Sequence, residues 1–167
     1  MDLNQLKLSP HTLTALYKNL LVHVNESGFS AKKTGKKSSL KFLGENRRNI
    51  LIAVNYPETM HIPDEQLGFL INLLSACKLN LGDVAVLNIH HYPLADLASN
   101  LSFFKSKMVF LFGVEPTALN LPISFPHFQV QEFSGATYLF SPHLTEIEQD
   151  KILKSKLWVC MRRIFNL

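Results

Sequence analysis

Three short, almost unbroken apolar runs constrain this chain more than any other feature: Ile50 to Val54, Val84 to Ile89 and Met108 to Phe112. A strand with one wet face alternates apolar and polar residues. A run without alternation marks a strand covered on both faces, which is the usual state of a parallel sheet. Segments with helical spacing separate the runs. Pro63-Asp64-Glu65 opens one whose apolar side is Leu67, Leu70, Ile71, Leu74 and Cys77, and Leu81-Gly82-Asp83 ends it. A shorter one spans Leu94 to Phe104 through Leu94, Leu97, Ala98 and Leu101. Strand–helix–strand units with short connections predict right-handed crossovers. The expected class is α/β: a three-layer α/β/α arrangement with a mostly parallel sheet of four to five strands, preceded by an N-terminal helix.

Gly113 closes the third run, and Pro116, Pro122 and Pro126 exclude a long helix over 114–127. His127 to Phe133 and Ala136 to Phe140 read as two strands around a Ser134-Gly135 turn. A final helix is expected from Leu144 to Phe165, with Ser141 as its cap and Pro142 in its first turn. At the other end, Leu3 to Val24 has helical spacing, Ser9 and Pro10 suit a helix start, and Gly28 stops it. The predicted organisation is a helix over 1–26 that could dock on a partner, a basic flexible linker over 27–48, and an α/β domain over 49–167.

With 167 residues, 47% of them hydrophobic, the chain can bury one sizeable core. Its formal charge of +4 is concentrated in one place: residues 27–48 hold Lys32, Lys33, Lys36, Lys37, Lys41, Arg47 and Arg48 against Glu45 alone, a net +6. The rest of the chain is slightly acidic, so the basic pI describes a local patch. No apolar run approaches the roughly 18 residues of a membrane span. The start, Met1-Asp2-Leu3-Asn4-Gln5, lacks a secretory layout, so a cytoplasmic location is expected. Cys77 and Cys160 lie in apolar helical contexts and read as buried free thiols.

The chemistry-bearing residues point away from catalysis. His90-His91, adjacent at a strand end, would face opposite ways, and no Cys/His cluster has zinc spacing. There is no G-x-S-x-G elbow, and neither cysteine neighbours a histidine. Asp64, Glu65, Glu146, Glu148 and Asp150 fall in first helical turns, where carboxylates suit the helix dipole. The first strand is followed by Asn55-Tyr56-Pro57-Glu58-Thr59-Met60, which lacks the glycines a phosphate-cradling loop needs. No catalytic residue, cofactor or metal is expected. Lys32, Lys33, Lys36 and Lys37 could contact nucleic-acid phosphates without sequence preference. Trp158 is a core residue or a contact anchor.

The run Ser141-Pro142-His143-Leu144-Thr145, followed by Lys154 and Leu157-Trp158, resembles the psi subunit family of bacterial DNA polymerase III, a clamp-loader accessory protein. That family has a strand, a Ser-Pro-x-Leu-Thr turn, then a helix with a basic residue three before a Leu-Trp pair. Ile50–Val54, the Asn55/Pro57 turn and the Leu67–Leu74 helix also look like the family's first half. The resemblance implies a non-catalytic α/β domain without nucleotide. It implies docking of the N-terminal segment on clamp-loader subunits, here through Leu13, Leu16, Tyr17 and Leu20. It further implies pairing of the folded domain with a chi-like subunit, and Trp158 joins the expected partner contacts.

Uracil-DNA glycosylases offer a second resemblance, with a motif after their first strand and a Ser-Pro motif before a late helix. Here Asn55-Tyr56-Pro57 stands where a Gln-Asp-Pro-type sequence would, and Phe140 stands where a histidine would. An active glycosylase would lack both its water-activating carboxylate and its donor to the leaving base. The alternative reading is therefore an inactive glycosylase-like shell or a nucleic-acid-binding module.

Overall fold

The computed structural model describes residues 40–93, 97, 102–122 and 124–167. The predicted N-terminal helix, with Leu13, Leu16, Tyr17 and Leu20, and the lysines Lys32, Lys33, Lys36 and Lys37 lie outside the described residues. The described part is a mixed α/β fold built on a six-stranded sheet.

Four central strands are parallel: β2 (Ile50–Val54), β3 (Val84–Asn88), β4 (Met108–Phe112) and β6 (Ala136–Ser141). The two borders are antiparallel: β1 (Leu43–Gly44) pairs with β3, and β5 (Val130–Phe133) pairs with β6. The spatial order is β1-β3-β2-β4-β6-β5, so six strands replace the four to five expected. The β5–β6 hairpin turns through Ser134 and Gly135, both with positive φ (51° and 78°), the conformation that matches strand twist in a tight hairpin.

Every residue of β2 and β3 is buried, as the unbroken runs demanded. Ile50, Ile52 and Val54 enter one apolar cluster, while Leu51 and Ala53 enter another on the opposite face, following the two-residue period of a strand. The first cluster is covered by helix α1 (Asp64–Ala76) through Leu70 and Leu74, and by helix α3 (Lys151–Phe165) through Leu157, Cys160 and Met161. The second collects Leu40, Leu97, Phe104, Leu119 and Phe125. Burying one such side chain contributes about 1.5–3 kcal/mol, so both clusters matter to stability.

Several expectations need correction. The fold takes in residues ahead of Asn49: Leu40 is only 3% exposed, and Leu43–Gly44 completes the sheet. Gly44 sits at φ +101°, and an added Cβ would strike the backbone oxygens of Val84 and Leu81. Arg47 and Arg48, assigned to the basic linker, pair with Glu45 at 2.5 Å and Asp83 at 3.8 Å. Ile71, expected in the core, is exposed, because the buried stripe of α1 is Gln66, Leu70 and Leu74.

The single C-terminal helix is two: α2 (Leu144–Gln149) and α3, broken at Asp150. Asp150 leaves helical geometry (φ −112°, ψ 117°), and its Oδ1 accepts from Ile152 N at 2.6 Å. This is ordinary N-capping, and it restarts the helix in a new direction. Ser141 caps nothing. It is the last residue of β6, fully buried, and its carbonyl accepts from Gly113 N at 2.9 Å. His143 occupies the N-cap position of α2, so Pro142 precedes the helix rather than setting its first turn.

Candidate functional site

In the order β3-β2-β4-β6, the strand that comes first in the chain lies between the second and the third. Chain connections therefore leave β2 and β4 in opposite directions. A crevice at the carboxyl ends of these two strands is where open α/β sheets bind ligands. The residues there are Asn55 and Tyr56 after β2, Asn88 closing β3, Gly113 after β4, and Ser141 to His143 after β6.

Asn88 is fully buried and makes four hydrogen bonds. Its Oδ1 accepts from Tyr56 N at 3.0 Å and His90 N at 3.2 Å. Its Nδ2 donates to Tyr56 O and Thr59 O, each at 2.7 Å. An asparagine amide has two donor hydrogens and two acceptor lone pairs, so this side chain is saturated. It ties the loop after β2 to the end of β3 and has no group left to offer a ligand.

His143 fills the crevice itself. Its Nε2–H donates to Asn55 O at 2.7 Å, and its ring meets Tyr56 edge-on at 4.7 Å. Gly113, at φ +64°, makes room for it: a Cβ there would overlap the imidazole Cδ2 and lie 2.9 Å from Cγ. Among the described residues no carboxylate lies within ion-pair distance of His143. The imidazole is therefore not set up as a carboxylate-oriented general base.

Tyr56 packs inward beneath it. Burial pushes its phenol above the ordinary value of 10.0; the negative charge of Glu148 adds to the rise and Thr145 opposes it. The Tyr56 hydroxyl and Ser141 Oγ are buried without a hydrogen-bond partner of good geometry. Thr59 Oγ1 and His61 Nδ1, in the loop after β2, are buried without a partner as well.

The histidine pair differs from expectation. His90 and His91 lie in a 3-10 turn (Ile89–His91) that follows β3, and their rings meet at 5.4 Å instead of diverging across a strand. Both reach the loop after β2: His90 Nδ1 bonds Asn55 Oδ1 at 3.0 Å, and His91 Nε2 bonds Thr59 O at 2.8 Å. Among the described residues no group of three or more His, Cys, Asp or Glu side chains could hold a metal ion.

Phe140, at the position where a glycosylase-like pattern would place a histidine, faces away from the crevice. Its ring meets Phe125 edge-on at 6.2 Å and His127 at a tilt at 4.2 Å, on the side of the cluster at the other face of the sheet. Trp158 is half-buried and packs against the cluster beneath α3. Cys77 and Cys160 are buried free thiols with pKa raised by burial; Cys160 Sγ donates to Phe128 O at 3.1 Å. Among the described residues no helix is long and apolar enough to cross a membrane.

Sequence reasoning missed His143 and Asn88 as the organisers of this end of the fold. Asn88 had a visible signal, as the one polar residue in the run Val84–Ile89. His143 had a weaker one, a ring-bearing residue after a strand in a fold whose third strand ends in glycine. No protein-family model and no curated protein matches the chain.

Proposed function

We propose that this chain is a non-catalytic accessory subunit of a bacterial replicative DNA polymerase, similar to the psi family, that joins clamp-loader subunits to partner proteins in the cytoplasm. The observation that carries the reading is the crevice between β2 and β4. His143 and Tyr56 fill it, and His143 and Asn88 bond to backbone atoms of the loop after β2. A ligand could enter only by displacing them. The reading draws on the Ser141-Pro142-His143-Leu144-Thr145 sequence, which follows strand β6, and on the Leu157-Trp158 pair in α3.

In this reading the domain is a three-layer α/β/α body. Residues Leu13, Leu16, Tyr17 and Leu20 dock on the clamp loader, and a chi-like subunit pairs with the folded part. Lys32, Lys33, Lys36 and Lys37 add a weak, salt-dependent DNA contact. Affinity capture of purified clamp-loader subunits by the full chain tests it. Retention lost on Leu16→Glu and Leu20→Glu is the expected result, and retention no greater than background would sink it.

The second reading, an inactive glycosylase-like shell, draws on the parallel order β3-β2-β4-β6 and on a histidine at the strand ends. Incubation with uracil-containing single-stranded DNA should release no base, because among the described residues no carboxylate pairs with His143 there. Measurable turnover would favour the enzyme over the accessory protein.

A further inference from the structure

Helix α3 has a one-sided charge distribution. It carries Lys151, Lys154, Lys156, Arg162 and Arg163 and no acidic residue. Its inner side buries Leu157, Cys160 and Met161. Its outer side, which a globular protein normally covers with polar groups, has Ile152 at 66% and Val159 at 63% exposure, seven residues apart and therefore on one line. Ser155 lies between them, small enough to let another backbone approach. Lys151 and Arg162 fall along one flank of this line and Lys156 and Arg163 along the other, given 3.6 residues per turn. None of these four cations forms an ion pair among the described residues. Lys154 is placed differently, over the Phe69 ring.

A groove of about 480 Å³ runs along the same side, between Phe128 and the residues Lys151, Ile152, Ser155, Lys156, Val159 and Cys160. Phe128 holds φ +61°, a conformation unfavourable for a bulky residue. Two bonds keep it there, Phe128 N to Phe140 O at 2.8 Å and Cys160 Sγ to Phe128 O at 3.1 Å. Backbone strain held in place by its surroundings is commonest at functional surfaces.

We propose that the outer face of α3 and the Phe128 groove bind an acidic amphipathic helix of a partner protein. Aliphatic residues of that helix cover Ile152 and Val159, and its carboxylates meet Lys151, Lys156, Arg162 and Arg163. The seven-residue spacing is that of a helix-in-groove contact, in which one apolar ridge lies along another. The four unpaired cations fix the sign of the partner. The chain's own first 24 residues do not suit the role, since Asp2 is their only acid. A nucleic acid would use the cations but not two exposed aliphatic side chains, having no need of an apolar ridge. The site deepens the accessory-subunit reading by giving the folded domain a partner surface of defined chemistry.

Fluorescence anisotropy with the full chain tests it. The probe is a synthetic helix with leucines at heptad spacing flanked by glutamates, and the control has the same composition with the leucines scattered round the helix. The expected result is about tenfold tighter binding of the ordered peptide. That preference should vanish in Ile152→Glu/Val159→Glu, and, separately, the affinity for the ordered peptide should fall about tenfold in Lys156→Glu/Arg163→Glu. All four side chains are exposed, and circular dichroism checks that the variants remain folded. Equal binding of the two peptides overturns the proposal. So does displacement of the ordered peptide by single-stranded DNA or by vesicles rich in phosphatidylglycerol from a site indifferent to Ile152 and Val159. Peptide binding without clamp-loader capture would leave this surface standing and remove the replication reading; capture without ordered-peptide preference would do the reverse.

Discussion

At the carboxyl ends of the parallel strands most polar groups bond to one another, with the Tyr56 hydroxyl and Ser141 Oγ left over, whereas the cations along the outer face of α3 form no ion pair among the described residues. At the first place Asn88 is saturated, His143 bonds a backbone carbonyl and a glycine gives way to its ring. At the second, Ile152 and Val159 face solvent between four basic side chains. Internal matching raises stability and leaves little for a ligand; unmatched groups do the opposite. The contrast assigns stability to the strand ends and recognition to the helix.

The sharpest way to break this contrast is to remove the buried amide. Asn88→Leu should cost roughly 3–5 kcal/mol, because Tyr56 N, Tyr56 O and Thr59 O lose their partner together. Urea unfolding monitored by circular dichroism measures it, and a loss below about 1 kcal/mol would contradict the structural role given to Asn88. Next comes Gly113→Ala, expected to cost roughly 2–4 kcal/mol from the clash with His143 plus an unfavourable φ. Combined with His143→Ala, the clash disappears and the added cost of the Gly113 change should fall to about 1 kcal/mol. Additive effects would show that the imidazole does not occupy the crevice.

Alkaline pH gives a smaller effect. Cys77 and Cys160 have raised pKa values against an ordinary 9.0, and Tyr56 and Tyr138 against 10.0, burial being the main cause in each. The folded protein therefore holds these protons more tightly than the unfolded chain. Their stabilisation is complete below pH 9.0 and is lost as pH climbs, first through the thiol and then through the phenol range. The urea midpoint should be level up to about pH 8.5 and then decline, and Tyr56→Phe should flatten the upper part of that decline. The smallest effect belongs to the exposed helix face: Ile152→Ser and Val159→Ser should each change stability by less than about 0.5 kcal/mol. A large loss there would mean that these side chains support the fold itself.

Unbroken apolar runs made β2 and β4 legible to the residue, because their shortness and flanking turn residues set them apart from a helical run such as Leu157 to Met161. The end of β3 was read one residue too long, because Asn88 turns its side chain onto His90 N and draws Ile89 into a 3-10 turn. β1 left no such trace. Leu40, Phe42 and Leu43 form a short apolar patch interrupted by Lys41, and only the fold gives them a role: Leu40 joins the second cluster and Leu43 pairs with β3. Ser141 looked like a helix cap by type and position, yet its register opposite Phe112 keeps it in the strand. The break at Asp150 was hidden because acids in a first turn and an acid capping a second helix look alike in a sequence. The crevice was the least legible feature: His143 and Asn55 lie 88 residues apart, and only the order of the strands brings them together.

Asp150 also acts as a phase marker. Its amide closes α2 on Glu146 O at 3.1 Å and its carboxylate opens α3, so the rotation of the last helix is counted from this residue. One extra residue within α3 would swing everything beyond it by about 100°, carrying Val159 toward the core and Leu157 outward. One extra residue ahead of the break could be absorbed there. A change of length upstream of Asp150 therefore leaves the bearing of the outer ridge unchanged, and the strand ends and the helix surface are set independently.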